Sequence, residues 1–246
     1  MFPIADSAPV RTPPVATWAL IGVNVLVFTA LLGLSPGDEQ RIFAMFGVVP
    51  ARLTGAGGSP ASVAAWVTIL TSMFMHSGWG HLAVNMWTLW LFGDNVEERL
   101  GVGRYLALYL IAGVSAALVH IWTNAGSAVP TVGASGAISG VVGAYALLYP
   151  RARVIVMVPV LFLPYFFAIS AIAFVMIWFV FQVISGTMEL VRPADVGGVA
   201  WWAHIGGFAA GLALTPMLAR EAPTLAALER EPIARRWDRG SGEDWP

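Results

Sequence analysis

The chain has 246 residues, of which 58% are hydrophobic and only 11% charged. That composition excludes an ordinary soluble globule, in which about 25% of residues are charged, and predicts an integral membrane protein. A net charge of −1, with thirteen scattered basic residues that are all arginine, excludes a nucleic-acid partner, and zero cysteines exclude disulfides, thiolate metal sites and cysteine nucleophiles.

A helix crossing a hydrocarbon core of about 30 Å needs about 20 predominantly apolar residues. Five charge-free gaps meet that length: Thr12–Gly37, Leu53–Gly93, Tyr105–Pro150, Val154–Met188 and Val196–Ala219. The third holds two spans around a turn-like NAGSAVPTVG stretch, Asn124–Gly133, so the predicted fold is an all-α membrane protein, a bundle of six transmembrane helices. The predicted organisation is a short cytoplasmic N-terminal segment (1–16), a six-helix membrane domain (17–220) and a polar cytoplasmic tail (221–246).

Pro13 and Pro14 precede the first apolar run, Thr17–Leu34, and Ser35-Pro36-Gly37-Asp38 ends it. The preceding MFPIADSAPVRTPP has neither a basic region before an apolar core nor a small-residue cleavage site behind one, so this run is expected to be a retained span. Glu39–Ser62, with Arg41, Arg52 and a GAGGSP run, leads into Val63–Met75, which is too short to span; an interfacial or re-entrant loop is expected. The second and third spans, about Gly80–Glu97 and Arg104–Trp122, are joined by a tight polar turn containing Glu97, Glu98, Arg99 and Gly101. The fourth runs from Ser135 to Pro150. The fifth, entered past Pro159 and Pro164, has its body at Tyr165–Ser185, and the sixth covers about Ala200–Ala219.

With six spans, ten arginines fall on one face and three on the other, and six against three remain when Arg230 onward is dropped. The positive-inside rule then places both termini in the cytoplasm. Arginine as the sole basic residue, with abundant alanine and glycine, hints at a GC-rich bacterial genome and hence a bacterial inner membrane.

Polar groups inside such a bundle are expensive unless paired or facing a wet cavity. From His81 to Glu97, from Ser135 to Arg151 and from His204 to Arg220 the separation is sixteen residues each. At about 1.5 Å per residue, all three lie about 24 Å from the cytoplasmic boundary, to within one helical turn, near the starts of three inward-running spans. Asn85 follows His81 at i+4 and shares its face. His76 and His120 fall outside this set and are expected to be interfacial or hydrogen-bonded packing.

Ser135, Ser139 and Gly143 form one stripe, Gly136 and Gly140 a second, and His204, Gly207 and Gly211 a third on the last span. Such small-residue faces let helix backbones approach closely in lipid. A serine hydroxyl needs a base to become a nucleophile, and histidine is the usual one. No carboxylate lies at this depth on the same spans, so the residues point to a dyad. Ser135 also begins a helix, whose free N–H groups stabilise an anion, and His81 and Asn85 add donors for an oxyanion hole. Taken singly, Ser135 also fits a helix N-cap, His81 and Asn85 interhelical hydrogen bonding, and His204 a satisfied core histidine.

Jointly, GASG around Ser135, the HxxxN pattern of His81 and Asn85 within HSGWGHLAVN, and AHxxGxxxG at Ala203, His204, Gly207 and Gly211 resemble the rhomboid family of intramembrane serine proteases. The resemblance extends over about Thr17–Arg220. It implies hydrolysis of peptide bonds in or near transmembrane segments of protein substrates in the lipid bilayer. Ser135 would be the nucleophile, His204 the base and then acid, and Asn85, His81 and the Ser135 N–H the oxyanion hole, with Gly133 keeping the loop before the serine open. It also implies lateral substrate entry near the second and fifth spans. Ser139 stands where many bacterial members have a tyrosine under the histidine, and the Trp-Arg pair of the first external loop is missing. No cofactor or metal is implied, since a serine and a histidine suffice and the other histidines form no recognisable ligand set. Two alternatives are a catalytically inactive rhomboid-like protein that binds membrane clients and a transporter with a midplane site. The first has no need of both Ser135 and His204; the second is disfavoured by the lack of intramembrane carboxylates and lysines.

Overall fold

The computed structural model describes residues 1–56, 58, 62–189 and 198–219. In chain order these form β1 (Phe2–Asp6), α1 (Val15–Leu31), α2 (Pro36–Phe46), α3 (Pro50–Thr54), α4 (Val63–Thr71), a 3-10 turn (Ser72–Phe74), α5 (Trp79–Leu100), α6 (Val102–Thr123), α7 (Ser135–Leu148), β2 (Arg153–Val160), β3 (Leu163–Ser170), α8 (Ala171–Glu189) and α9 (Trp201–Leu218). The six expected spans map onto α1 and α5 to α9. Among the described residues, α6 and α8 are long and apolar enough to cross a bilayer by length and composition alone. The predicted tail, 221–246, and the stretch 190–197 before α9 lie outside the described residues.

Three regions depart from the sequence reading. The structure is not wholly helical: β1, β2 and β3 form an antiparallel sheet in that order, with Phe2 opposite Met157 and Pro159 opposite Pro164. The fifth helix therefore starts at Ala171, and Tyr165–Ser170, expected to be helical, is strand. A continuous apolar run fits strand or helix equally well by periodicity. Here the two prolines disfavour a helix, and the valine-, isoleucine- and aromatic-rich flanks suit a sheet.

In the second region, the segment expected to be a loop is largely helical. Ser35 caps α2, its Oγ accepting from the Asp38 N–H at 3.2 Å, and α3 starts on Pro50 and ends at Gly55 in the left-handed region. Val48 bridges to Thr131, which ties this segment to the loop that precedes α7. Val63–Met75 folds as α4 followed by the 3-10 turn.

The third departure concerns Glu97 and Glu98, which belong to the last turn of α5 and not to a polar turn. Only Gly101, at φ 77°, separates α5 from α6. Glu97 is 4% exposed and accepts from the Ala16 N–H at 2.9 Å, the Thr17 N–H at 2.8 Å and the Thr17 hydroxyl at 2.8 Å. It thus satisfies free donors at the start of α1, where an acidic group also complements the helix dipole. Glu97→Ala is expected to destabilise the protein by about 2 kcal/mol, the range for hydrogen bonds to a charged group. Thermal unfolding in detergent checks this, and an unchanged midpoint would remove Glu97 from the packing of α1.

The main core lies between α5, α6 and α7, where Phe92, Tyr105, Tyr109, Val141 and Tyr145 are all but completely buried. A smaller cluster, Val48, Leu53, Ile69 and Ile121, holds α3 and α4 against α6. Large apolar side chains also cover the outside, including Leu26, Trp90, Leu118, Ile177 and Phe181. A protein apolar both inside and out is built for a hydrocarbon solvent.

α9 packs most extensively on α7 and α6. A Cβ at Gly207 would overlap the Gly136 carbonyl oxygen, and one at Gly211 the Gly140 carbonyl. In the opposite direction, a Cβ at Gly140 would sit 3.0 Å from the Gly207 carbonyl oxygen, and one at Gly143 2.8 Å from that of Phe208. The two backbones are in direct contact along this seam. On its other side, Gly136 and Gly140 face the Ala116 and Ala112 methyls of α6.

Candidate active site

The seam brings the first turns of three helices to one cavity of about 580 Å³, lined among others by His81, Asn85, Gly133, Ser135 and His204. His81 is the third residue of α5, Ser135 the first of α7 and His204 the fourth of α9. Gly136 also lines the cavity, whereas Gly140, Gly207 and Gly211 lie along the seam beneath it.

Gly133 stands at φ 137°, outside the range of most side chains, and donates its N–H to the Ser72 carbonyl at 2.9 Å. A Cβ built there would lie 2.8 Å from both Cε1 and Nε2 of His81 and 3.7 Å from Ser135 Oγ. The imidazole and the hydroxyl therefore face the same small gap, which only a glycine leaves open. Ala134 is the N-cap of α7 and makes no side-chain cap. The first intrahelical bond is Ile138 N–H to Ala134 O at 3.0 Å, so the earlier N–H groups of this turn have no helical acceptor.

His81 Nδ1 lies 3.2 Å from Ser77 Oγ. When the serine donates, the imidazole proton sits on Nε2, the atom nearest the gap. Asn85 is 5% exposed and donates one amide hydrogen to the His81 carbonyl at 3.0 Å, which leaves the second hydrogen of that amide for another acceptor.

His204 Nδ1 is 2.7 Å from Gln182 Oε1 of α8. Its ring is stacked on Trp178, with centroids 6.3 Å apart at 30°, and Trp201 meets it edge-on at 6.3 Å. Ser139 donates to the Ser135 carbonyl at 2.7 Å, so the aromatic floor of the histidine comes from α8 and not from α7.

His120 also lines the cavity, its Nε2 2.9 Å from Thr131 Oγ1 and its Nδ1 3.3 Å from Asn124 Nδ2. His76 is buried edge-on against His81, with ring centroids 5.0 Å apart. Among the described residues no three of histidine, aspartate and glutamate are grouped to hold a metal ion.

Sequence reasoning missed Ser77, Trp178 and Gln182. Gln182 carried a usable signal, since it is the lone amide in an apolar stretch from Ala171 to Ile184. A polar group in such a setting demands a partner.

Fold and cavity define a helical membrane protein whose helix starts bring several polar side chains to one largely apolar chamber. Residues 63–221 match the family model for the rhomboid domain, and the chain belongs to the rhomboid family of integral membrane proteins. Rhomboid protein 1, mitochondrial, of Saccharomyces cerevisiae is 32% identical over 100 residues, which are 39% of this chain and 29% of that protein. Rhomboid protease GluP of Bacillus subtilis is 34% identical over 136 residues, 55% of this chain and 24% of its own. The human presenilin-associated rhomboid-like protein, mitochondrial, is 27% identical over 226 residues, 89% of this chain and 51% of its own. The chain thus spans from 24% to 51% of the length of these relatives.

Proposed function

We propose that the protein is an intramembrane serine endopeptidase that cleaves peptide bonds in or near transmembrane segments of membrane proteins through a dyad of Ser135 and His204. The observation that supports this best is the convergence of Ser135, His204, His81 and Asn85, from three helix starts, on one cavity. Ser135 Oγ attacks the scissile carbonyl carbon while its proton passes to His204 Nε2. Negative charge develops on the carbonyl oxygen and is held by the Ser135 N–H, His81 Nε2–H and the second hydrogen of the Asn85 amide. The tetrahedral species collapses, the C–N bond breaks, and His204 returns the proton to the leaving amine. Water then attacks the acyl-enzyme, with His204 again taking a proton, and Ser135 is released.

In this reading α1 and α5 to α9 are the six spans of a membrane domain over 17–220, with 1–16 and the tail 221–246 on the cytoplasmic side of a bacterial inner membrane. The arginine distribution carries that orientation. β1 pairs with β2, which follows α7 in the chain, so the N-terminal strand lies at the end of the bundle where α7 ends.

A fluorophosphonate probe tests the reading on the purified protein in detergent. Adduct located on Ser135 by mass spectrometry, and lost in His204→Ala, is the expected result. A folded protein that admits a small probe and remains unlabelled would instead be a client-binding relative without protease activity. Asn85→Ala is expected to lower kcat by about 10- to 1000-fold with little change in stability, as for the loss of one oxyanion donor among several. Unchanged turnover would remove Asn85 from the oxyanion hole.

A further inference from the structure

We propose that Gln182, on α8, is a positioning residue for His204, fixing which ring nitrogen of the base is free; this rests on the dyad reading above. Gln182 is 3% exposed and sits in a helix whose other residues from Ala171 to Ile184 carry no charge and no amide. An amide in such surroundings is costly unless hydrogen-bonded. Its Oε1 faces His204 Nδ1 at 2.7 Å.

A carboxamide oxygen only accepts, so Nδ1 must carry the proton, and the lone pair of the neutral imidazole falls on Nε2. That is the tautomer that can take the proton of Ser135. When it does, Nδ1–H remains bonded to Gln182 throughout, and no proton moves to the amide. Trp178 lies one turn earlier on the same face of α8 and stacks on the same ring. One helix therefore sets both the tautomer and the plane of the base. Trp202 Nε1 donates to the Gly186 carbonyl at 3.1 Å and fastens that stretch of α8 to the start of α9. A neutral amide here fixes the tautomer of the base, as the carboxylate does in soluble serine proteases, without an ionised group inside the bilayer.

The experiment uses the full chain in vesicles of phosphatidylethanolamine and phosphatidylglycerol, with a single-span protein substrate and a fluorophosphonate probe. Gln182→Leu and Gln182→Met keep approximate volume and remove the acceptor. Gln182→Glu keeps an oxygen acceptor, ionised or protonated. The Leu and Met variants are expected to lose about 10- to 100-fold in kcat, part of what acid–base catalysis contributes, with KM held within about two-fold. Labelling of Ser135 should slow in parallel, and the unfolding temperature should stay near that of the wild type. Gln182→Glu should recover to within about ten-fold of wild-type kcat.

Wild-type kcat in a folded Leu or Met variant overturns the inference. So does a Glu variant no better than Leu, because an amide presenting its N–H to Nδ1 would leave the proton on Nε2. A wild-type protein that neither cleaves nor labels overturns the protease reading itself, whereas an active wild type indifferent to Gln182 overturns only the positioning role.

Discussion

In reconstituted vesicles, Ser135→Ala and His204→Ala are each expected to lower cleavage of a transmembrane substrate by about 10⁴-fold or more, to background. The reason lies in how the two side chains depend on each other. Without a base, a serine hydroxyl at neutral pH is a weak nucleophile; without the hydroxyl, the imidazole has no attacking atom to activate. The pair acts as a unit, so the double variant should be no slower than either single one, and the effects should not add. Ser135 begins α7 without capping it, whereas truncating His204 leaves the buried Gln182 Oε1 without its partner and removes the ring stacked on Trp178. Ser135→Ala should therefore unfold at close to the wild-type temperature and His204→Ala somewhat below it, so turnover is compared on the folded fraction of each. Substantial turnover in folded Ser135→Ala would strike that residue from the mechanism.

Gly207→Val is expected to be the most damaging single change in the membrane domain, destabilising it by about 3 kcal/mol or more. A Cβ at this position meets the Gly136 carbonyl, which is backbone and cannot swing aside as a flexible side chain would. Relief requires α9 to move off α7, and that movement also breaks the contact at Gly211 and draws His204 away from Ser135. Activity should fall further than the remaining folded fraction explains. Gly22→Ala is the matched control: nothing lies within 4 Å of the added methyl, and removing a helical glycine should be neutral or slightly stabilising. Resistance to unfolding by detergent and heat, with labelling of Ser135 on the same samples, reads both effects. A Gly207→Val protein as stable as wild type would show that the seam yields.

The parts of this protein legible in its sequence are those where one physical constraint acts alone. Charge-free runs mark apolar helices because lipid tolerates few charges, and a histidine or serine at a helix start stands out against such a background. The hairpin Arg153–Ser170 was not legible because alternation is absent when both faces of a strand are apolar, and Tyr165-Phe166-Phe167 serves a helix as well as a sheet. Glu97 was misplaced because a glutamate near a predicted boundary reads as solvated, while its partners Ala16 and Thr17 are eighty residues away in sequence. The role of Gln182 was not legible because it stands alone on its helix, and its partner His204 is 22 residues away on the next one.

The contact between α7 and α9 also acts as an index. Two smooth apolar helices can slide past one another at little cost, and a slip of one residue would carry His204 about 1.5 Å along the axis and about 100° around it. Glycines on each helix take the opposing carbonyls at successive turns, Gly136 with Gly207 and Gly140 with Gly211, so a single setting engages every notch at once. The phase of His204 relative to Ser135 is thereby written into the main chain, ahead of any choice of side-chain rotamer.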